Sequence, residues 1–485
     1  MSLHIVPILD SGSKPRRLRS PDNLNGYIIN NRFQLLKKIG AGTYGLIYLV
    51  HDQQTGHQYA AKMVLTTPPP PARLSTTNNK KMIEDAIHNY FYSHGTVNPP
   101  PESPQDHELL CKRPQTPPYE QEHSLYFPPK PAEPGMHVRS NELNLEAVRR
   151  DGHACPFLRE IAIHLLVHDH PNIVSIHHVL LLEKFAIVTL MDYYPQGDLF
   201  GQIIDDQIFQ CPPIHQNKEL LMKNCMVQLI QAITFCAEKG VYHCDMKPEN
   251  VMVTYDPSYR RPQRQDNGRN SPLTAQDIVD YSELRVSLID FGLAMTNNLI
   301  CCNACRGLSF YMAPERIVNF NTNRLVKSLV DMDEFPDNPQ ATSELNQKLF
   351  PTLAGDIWSL GVLFINISCS RNPWPIANIN DRQEVFANYV LNDRLVLRTI
   401  LPILQQFNHL LNLIFELNPN HRISLYELQD QLVKCHFFHD PVEYNEQFCT
   451  PPGELKSPVT TPCGSKKRII QSKDHRKTQP YPIFY

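Results

Sequence analysis

From residue 241 to residue 253 the chain reads Val-Tyr-His-Cys-Asp-Met-Lys-Pro-Glu-Asn-Val-Met-Val, and further on comes Ile289-Asp290-Phe291-Gly292. An ordered set of polar groups is wedged between apolar ones, and the order matters. Asp245 can take a proton from a hydroxyl, and Lys247, two positions on, can neutralise charge on a transferring phosphoryl group. Asn250 and Asp290 offer the hard oxygen ligands that Mg²⁺ prefers. Together they make a site for phosphoryl transfer from Mg²⁺–ATP.

This stretch resembles the catalytic loop and metal-binding Asp of eukaryotic protein kinases, and Lys247-Pro248-Glu249-Asn250 is similar to their serine/threonine branch. The resemblance covers residues 33–438, less inserts. It implies an α+β fold, bilobal and protein-kinase-like, with a β-rich N-lobe, an α-helical C-lobe and disordered inserts and tails. Residues 1–32, with Lys14, Arg16, Arg17 and Arg19, read as a flexible basic arm. From Phe33 to Leu65 β-branched and aromatic residues recur as in hairpins. Proline runs such as Pro68-Pro69-Pro70-Pro71 and Asn98-Pro99-Pro100-Pro101 then mark a disordered insert over about 66–151. Within it only Met82 to Tyr92 suggests a short helix. Apolar residues at helical spacing return from Phe157 to Val167, and Leu220–Lys239 and Ile357–Ile367 read as helices of the second lobe. Two further inserts are expected at about 256–280 and 319–351, and residues 439–485 as a disordered tail.

The 46 Lys+Arg against 49 Asp+Glu leave a formal charge of −3, so no global field calls for nucleic acid or an anionic membrane as partner. Thirteen cysteines, an odd number without regular spacing, and a start lacking the basic-then-apolar plan of a signal peptide place the expectation in cytoplasm or nucleus. The longest apolar region is read as Val179 to Met191, broken by Glu183 and Lys184 and well short of the roughly 20 residues a bilayer needs. A soluble protein is expected.

Ile39-Gly40-Ala41-Gly42-Thr43-Tyr44-Gly45-Leu46-Ile47 lies between two strand-like runs with no helix directly after it, which argues against a dinucleotide fold and for a hairpin covering phosphates. Lys62, on the third strand, resembles the kinase lysine that reaches the α- and β-phosphates. Its expected carboxylate partner is Glu160, opening the first helix after the insert. The run from Val188 to Leu199 is similar to the hinge between kinase lobes. That resemblance puts Met191 at the gatekeeper position, backbone groups of Asp192 and Tyr194 on adenine, and Asp198 at the ribose. His243 reads as a packed structural histidine. Asp356 is expected to brace the catalytic-loop backbone, and Glu315 and Arg422 to form a buried ion pair.

Two positions depart from the family pattern. Cys244 stands where an Arg usually grips a phosphorylated activation segment, a contact no thiol can make. Leu308 replaces the Thr or Ser that bridges the catalytic Asp and Lys, with Ser309 beside it. Cys301-Cys302-Asn303-Ala304-Cys305 suggests half a zinc site or an oxidisable loop next to the bland reading of reduced thiols. Short words such as His-Cys-Asp and Asp-Tyr-Tyr-Pro-Gln-Gly-Asp-Leu-Phe resemble fungal kinases similar to the negative regulator of sexual conjugation and meiosis and its nutrient-responsive yeast relatives. A serine/threonine kinase using ATP and Mg²⁺ on protein substrates is therefore expected, tied to nutrient or developmental signalling. The alternatives are a nucleotide-binding pseudokinase scaffold and a small-molecule kinase. Ser20, Thr67, Ser103, Thr116, Ser271, Thr450, Ser457 and Thr461 each precede a proline, which suggests proline-directed upstream kinases as partners.

Overall fold

A hairpin locked by a buried carboxylate anchors the first unit. Asp52 accepts hydrogen bonds from Arg32, Gln54 and Thr55, and Gly56 takes the positive φ of +76° that closes the turn. Burial pushes the Asp52 carboxyl up, but these donors outweigh it and hold the group well below the usual carboxylate range. The structure, a computed structural model, describes residues 23–41, 45–67, 76–97, 136–262, 273–302, 310–317, 319–379 and 384–438. They divide between two units, 1–168 with 174–194 and 169–173 with 195–485.

In the first unit β1 (Tyr27–Ile29), β2 (Phe33–Ala41), β3 (Gly45–Asp52) and β4 (Gln58–Leu65) are followed by helix α1 (Thr76–His94). Then come β5 (Met136–Val138), β6 (Asn141–Glu142), α2 (Leu145–Asp151), α3 (Arg159–His164), β7 (Ile176–Leu182) and β8 (Ala186–Asp192). One sheet of eight strands runs β5-β1-β2-β3-β4-β8-β7-β6, antiparallel except for the β1–β5 pair.

Alternation along the strands gives this sheet two apolar faces. Leu46, Tyr48 and Val50 of β3 and Ala61 and Met63 of β4 share one buried cluster with Ile83, Ile87, Tyr90 and Phe91 of α1. On the other face Ile176, Val179 and Ile187 pack against Val148 of α2 and Ile161 of α3. This corrects the expectation of disorder over 66–151. Proline runs flank the segment, but Ile83, Ile87, Tyr90 and Phe91 recur at helical spacing and have a sheet face to cover. Thr96 and His137 exchange backbone hydrogen bonds of 3.0 and 2.7 Å, which ties the chain after α1 to β5. The flexible arm 1–32 is corrected likewise, since residues 23–32 are described and β1 pairs with β2 and β5. Residues 68–75 and 98–135 lie outside the described residues. If α1 is a core element, Ile87→Val should lower the unfolding free energy by about 1 kcal/mol. Urea denaturation of the variant checks this, and an unchanged midpoint would make α1 a surface appendage.

The second unit contains α4 (Leu199–Ile204), α5 (Lys218–Glu238), β9 (Val251–Tyr255), α6 (Ala275–Ile278), β10 (Leu284–Leu288) and β11 (Leu299–Cys301). It continues with α7 (Arg324–Leu329), β12 (Leu349–Pro351), α8 (Thr352–Cys369), α9 (Glu384–Leu391), α10 (Val396–Ile400), α11 (Gln405–Ile414) and α12 (Leu425–Lys434). Helix α8 is buried from Ala354 to Ser368, so its apolar run exceeds the Val179–Met191 stretch that sequence reading ranked first. Both α5 and α8 are long and apolar enough to cross a membrane, yet 72% and 89% of their most apolar windows are buried inside the structure, as in core helices.

Residues 256–280 fall in the β9–β10 connection, where Thr274 and Asp277 cap α6. The insert 319–351 is ordered where described. Asn323 caps α7, Asn338 and Asn346 tie the loop to itself, and β12 pairs with β11. Its order rests on side-chain to backbone hydrogen bonds, which leave no apolar period to read. The tail 439–485 lies outside the described residues.

Candidate active site

Strand β4 carries Lys62 on the face opposite Ala61 and Met63, where its ammonium meets Glu160 Oε1 at 2.6 Å. Glu160 sits in the first turn of α3, a helix of six residues. Helix α2 falls within the expected insert of 66–151, so α3 is the first α-helix after it, as expected, whereas Lys62 lies on the fourth strand because β1 precedes the hairpins. The pair holds Lys62 in place, and both side chains are partly exposed.

Around the glycine-rich turn, Ile39 is exposed and Ile47 pairs with Lys62 across β3 and β4. Among the described residues, a Cβ on Gly40 would have its nearest contacts with Ile47 at 3.5 to 3.8 Å, an ordinary packing distance. Gly45 has no such room, because a Cβ would lie 1.9 Å from the Met63 carbonyl oxygen. Gly42, with Thr43 and Tyr44, lies outside the described residues.

At the end of β8, Met191 pairs with Ala60 and Ile176. Asp192 donates its amide to Ser175 O at 3.3 Å, while its carboxylate accepts from Ser175 N and pairs with His177 Nε2 at 2.6 Å. Tyr194 ends the first unit and the chain enters the second at Pro195. There Asp198 caps α4, accepting from Gly201 N at 2.9 Å, so one of its oxygens already has a structural task.

In the second unit the loop before β9 gathers Asp245, Lys247 and Asn250. Lys247 Nζ lies 2.6 Å from Asp245 Oδ2, and Asn250 Nδ2 donates to the same oxygen at 2.9 Å and to Asp245 O at 2.8 Å. Pro248 opens a 3₁₀ turn that brings Asn250 back over Asp245, and Asn250 O accepts from Ile289 N at 2.9 Å. Asp290 follows with φ +61°, and Cys244 has φ +65°. Two non-glycine residues in the left-handed region so close to one cluster are strain of the kind functional sites retain.

His243 is fully buried. Its Nε2 donates to Ile289 O at 2.9 Å, its Nδ1 accepts from Asp245 N, and its ring packs on Phe291 at 4.9 Å. With both nitrogens committed to backbone, it supports the loop and has no free atom for base chemistry. Asp356 of α8 accepts from the amides of His243 and Cys244 at 2.8 and 2.9 Å.

A family profile described as "Protein kinase domain" matches residues 141–332. Serine/threonine-protein kinase VHS1 of Saccharomyces cerevisiae is 31% identical over 408 residues, covering 83% of this chain and 70% of the relative. The chain belongs to the serine/threonine protein kinase family. Serine/threonine-protein kinase SKS1 of the same yeast is 32% identical over 416 residues, 84% of this chain and 66% of the relative. The negative regulator of sexual conjugation and meiosis of Schizosaccharomyces pombe is 36% identical over 278 residues, 57% of this chain and 50% of that protein. The chain thus spans two thirds of the length of SKS1 and half that of the third relative.

In this kinase Cys244 enters a small apolar cluster with Ile300 of β11, flanked by Tyr242, Leu293 and Met295. The thiol therefore packs on the activation segment where an arginine would carry charge. Burial pushes the Cys302 thiol up to about 12, which keeps it protonated and disfavours oxidation there. Cys305, Leu308 and Ser309 lie outside the described residues. Sequence reading missed Arg316, a fully buried cation after Pro314-Glu315. Gly355, a glycine at the start of a long helix, is the sequence signal that could have pointed to it.

Proposed function

We infer that this kinase transfers the γ-phosphate of ATP to serine or threonine hydroxyls of protein substrates. The observation that carries the reading is the Asp245–Lys247–Asn250 cluster, one carboxylate held by an ammonium and an amide on a loop braced from α8. Asp245 orients the substrate hydroxyl and accepts its proton, and Lys247 offsets negative charge as the phosphoryl group moves. Lys62, fixed by Glu160, places an ammonium for the α- and β-phosphates.

The donor set also fits Mg²⁺. Both contacts of Asn250 Nδ2 go to Asp245, which leaves the amide oxygen as the hard ligand Asn250 can offer, with the Asp290 carboxylate as the second. A metal held by one or two such groups and substrate phosphates is the usual Mg²⁺ arrangement, and it supplies charge neutralisation when bound. The resemblance to kinases assigns Ile39, Gly40, Gly42, Gly45 and Ile47 to the nucleotide phosphates, Met191, Asp192 and Tyr194 to adenine, and Asp198 to the ribose. The pseudokinase alternative is disfavoured by the intact set of Lys62, Asp245, Asn250 and Asp290. Incubation with Mg²⁺–ATP and a mixed-peptide library tests the reading, and no phosphate on any Ser or Thr would reject it.

The name of the fission-yeast relative supports a role in developmental signalling. The proposal adds a tie to nutrient state and a place in cytoplasm or nucleus, and the near-balanced charge of −3 favours protein partners over nucleic acid or an anionic membrane. Proline-directed kinases acting on the eight Ser/Thr-Pro sites would supply control from outside the core. Thr67 is exposed, and the other seven lie outside the described residues.

Activity should not need activation-segment phosphate. Residues 299–301 are held by pairing with 349–351, Thr352 donates its amide and hydroxyl to Asn298 O and Asn297 O, and Cys244 packs on Ile300. Phosphatase-treated protein should keep its turnover within about twofold. A tenfold loss mapped to Thr296 or Ser309 would reject this.

A further inference from the structure

Arg316 carries a guanidinium that is 2% exposed, in a unit where such a charge persists only if compensated. Its Nη2 donates to Thr352 O at 2.7 Å, lies 3.3 Å from Asp356 Oδ1 and is 3.8 Å from Cys244 Sγ. Asp356, 1% exposed, is the carboxylate whose two oxygens receive the amides of His243 and Cys244, immediately before Asp245. Space for the guanidinium comes from Gly355, where a Cβ would sit 2.1 Å from Arg316 Nε and 2.2 Å from Cζ. A glycine weakens a helix, so its presence in the first turns of α8 needs a reason, and Arg316 supplies one.

We propose that Arg316 is a positioning residue. It neutralises Asp356 and so fixes the carboxylate against the two loop amides, which sets the backbone from which Asp245 acts. This places the cation that supports the catalytic loop inside the helical unit, on the segment that ends at Pro314-Glu315-Arg316, with Cys244 small enough to admit it. An arginine at 244 would bring a second guanidinium into the same buried space. The proposal rests on the kinase reading above.

The test uses the full chain with Arg316→Met, Arg316→Lys and Gly355→Ala. Arg316→Met and Gly355→Ala should lower kcat by at least about tenfold with KM for ATP within about twofold, because nucleotide contacts are untouched. Amide exchange at residues 243–245, read by mass spectrometry, should accelerate about tenfold while α5 keeps its protection. Lys keeps a charge that reaches Asp356, whereas Met keeps only length and apolar bulk, so Arg316→Lys should retain more turnover than Arg316→Met. A merely packed side chain predicts the reverse order, and that order would overturn the proposal. So would unchanged kcat and exchange in Arg316→Met. If Arg316→Met fails to fold, Gly355→Ala decides: loss of kcat with faster exchange at residues 243–245 supports the proposal, and unchanged kcat and exchange overturn it. Should the unaltered protein phosphorylate nothing, the kinase reading fails, and the exchange measurement still decides the role of Arg316.

Discussion

Asp245→Asn should abolish phosphoryl transfer, with kcat falling by more than about a hundredfold, the lower end expected for a general base. Asn keeps the volume of Asp and an oxygen to accept from Lys247 Nζ, so the loop loses a proton acceptor and little packing. Asp290→Asn should cause a comparable loss by weakening the metal ligand, since Asn tolerates the left-handed backbone at φ +61° almost as well as Asp. Thermal melting within about 2 °C of the parent would show that both variants fold. Near-normal turnover in either purified variant would make the site assignment wrong.

A large loss of stability is expected when one partner of the Glu315–Arg422 pair is removed. Both side chains are fully buried, with Arg422 Nη1 and Nη2 at 2.7 and 3.1 Å from the two carboxylate oxygens. Arg422 also donates to Ala354 O and Glu416 O and lies 5.1 Å over the Trp358 ring. Arg422→Met leaves a carboxylate without its cation in a dry site, and Glu315→Met leaves the converse. Each should cost about 3–5 kcal/mol. The double replacement removes both charges and should cost less than the sum of the two. Denaturant unfolding of the three variants gives the coupling, and strict additivity would show that the two charges act independently.

Which residues meet was legible where the geometry is local. Asp245, Lys247 and Asn250 fall on one loop because a 3₁₀ turn starting at Pro248 folds five residues back on themselves, so spacing alone implies their meeting. The Lys62–Glu160 pair, 98 positions apart, was legible only through resemblance. Helix α1 was half visible. Met82 to Tyr92 shows the apolar period, but Thr76 to Lys81 are polar and carry no signal for where the helix begins. Strand β1 has three residues, too few for alternation to register. Arg316 was illegible because a charged residue after a turn reads as surface, and only the packing of α8 buries it.

Helix α1 also limits how this chain can be shortened. Alignment to kinases without the insert would mark residues 66–151 as dispensable and invite their removal. That cut would take away Ile83, Ile87, Tyr90, Phe91 and Val138, and would bare the face of the sheet on which Tyr48, Val50 and Met63 lie. A broad exposed apolar face on a twisted sheet is an aggregation site. A soluble minimal catalytic fragment therefore has to keep α1 and β5, and trimming is confined to the connections on either side of them.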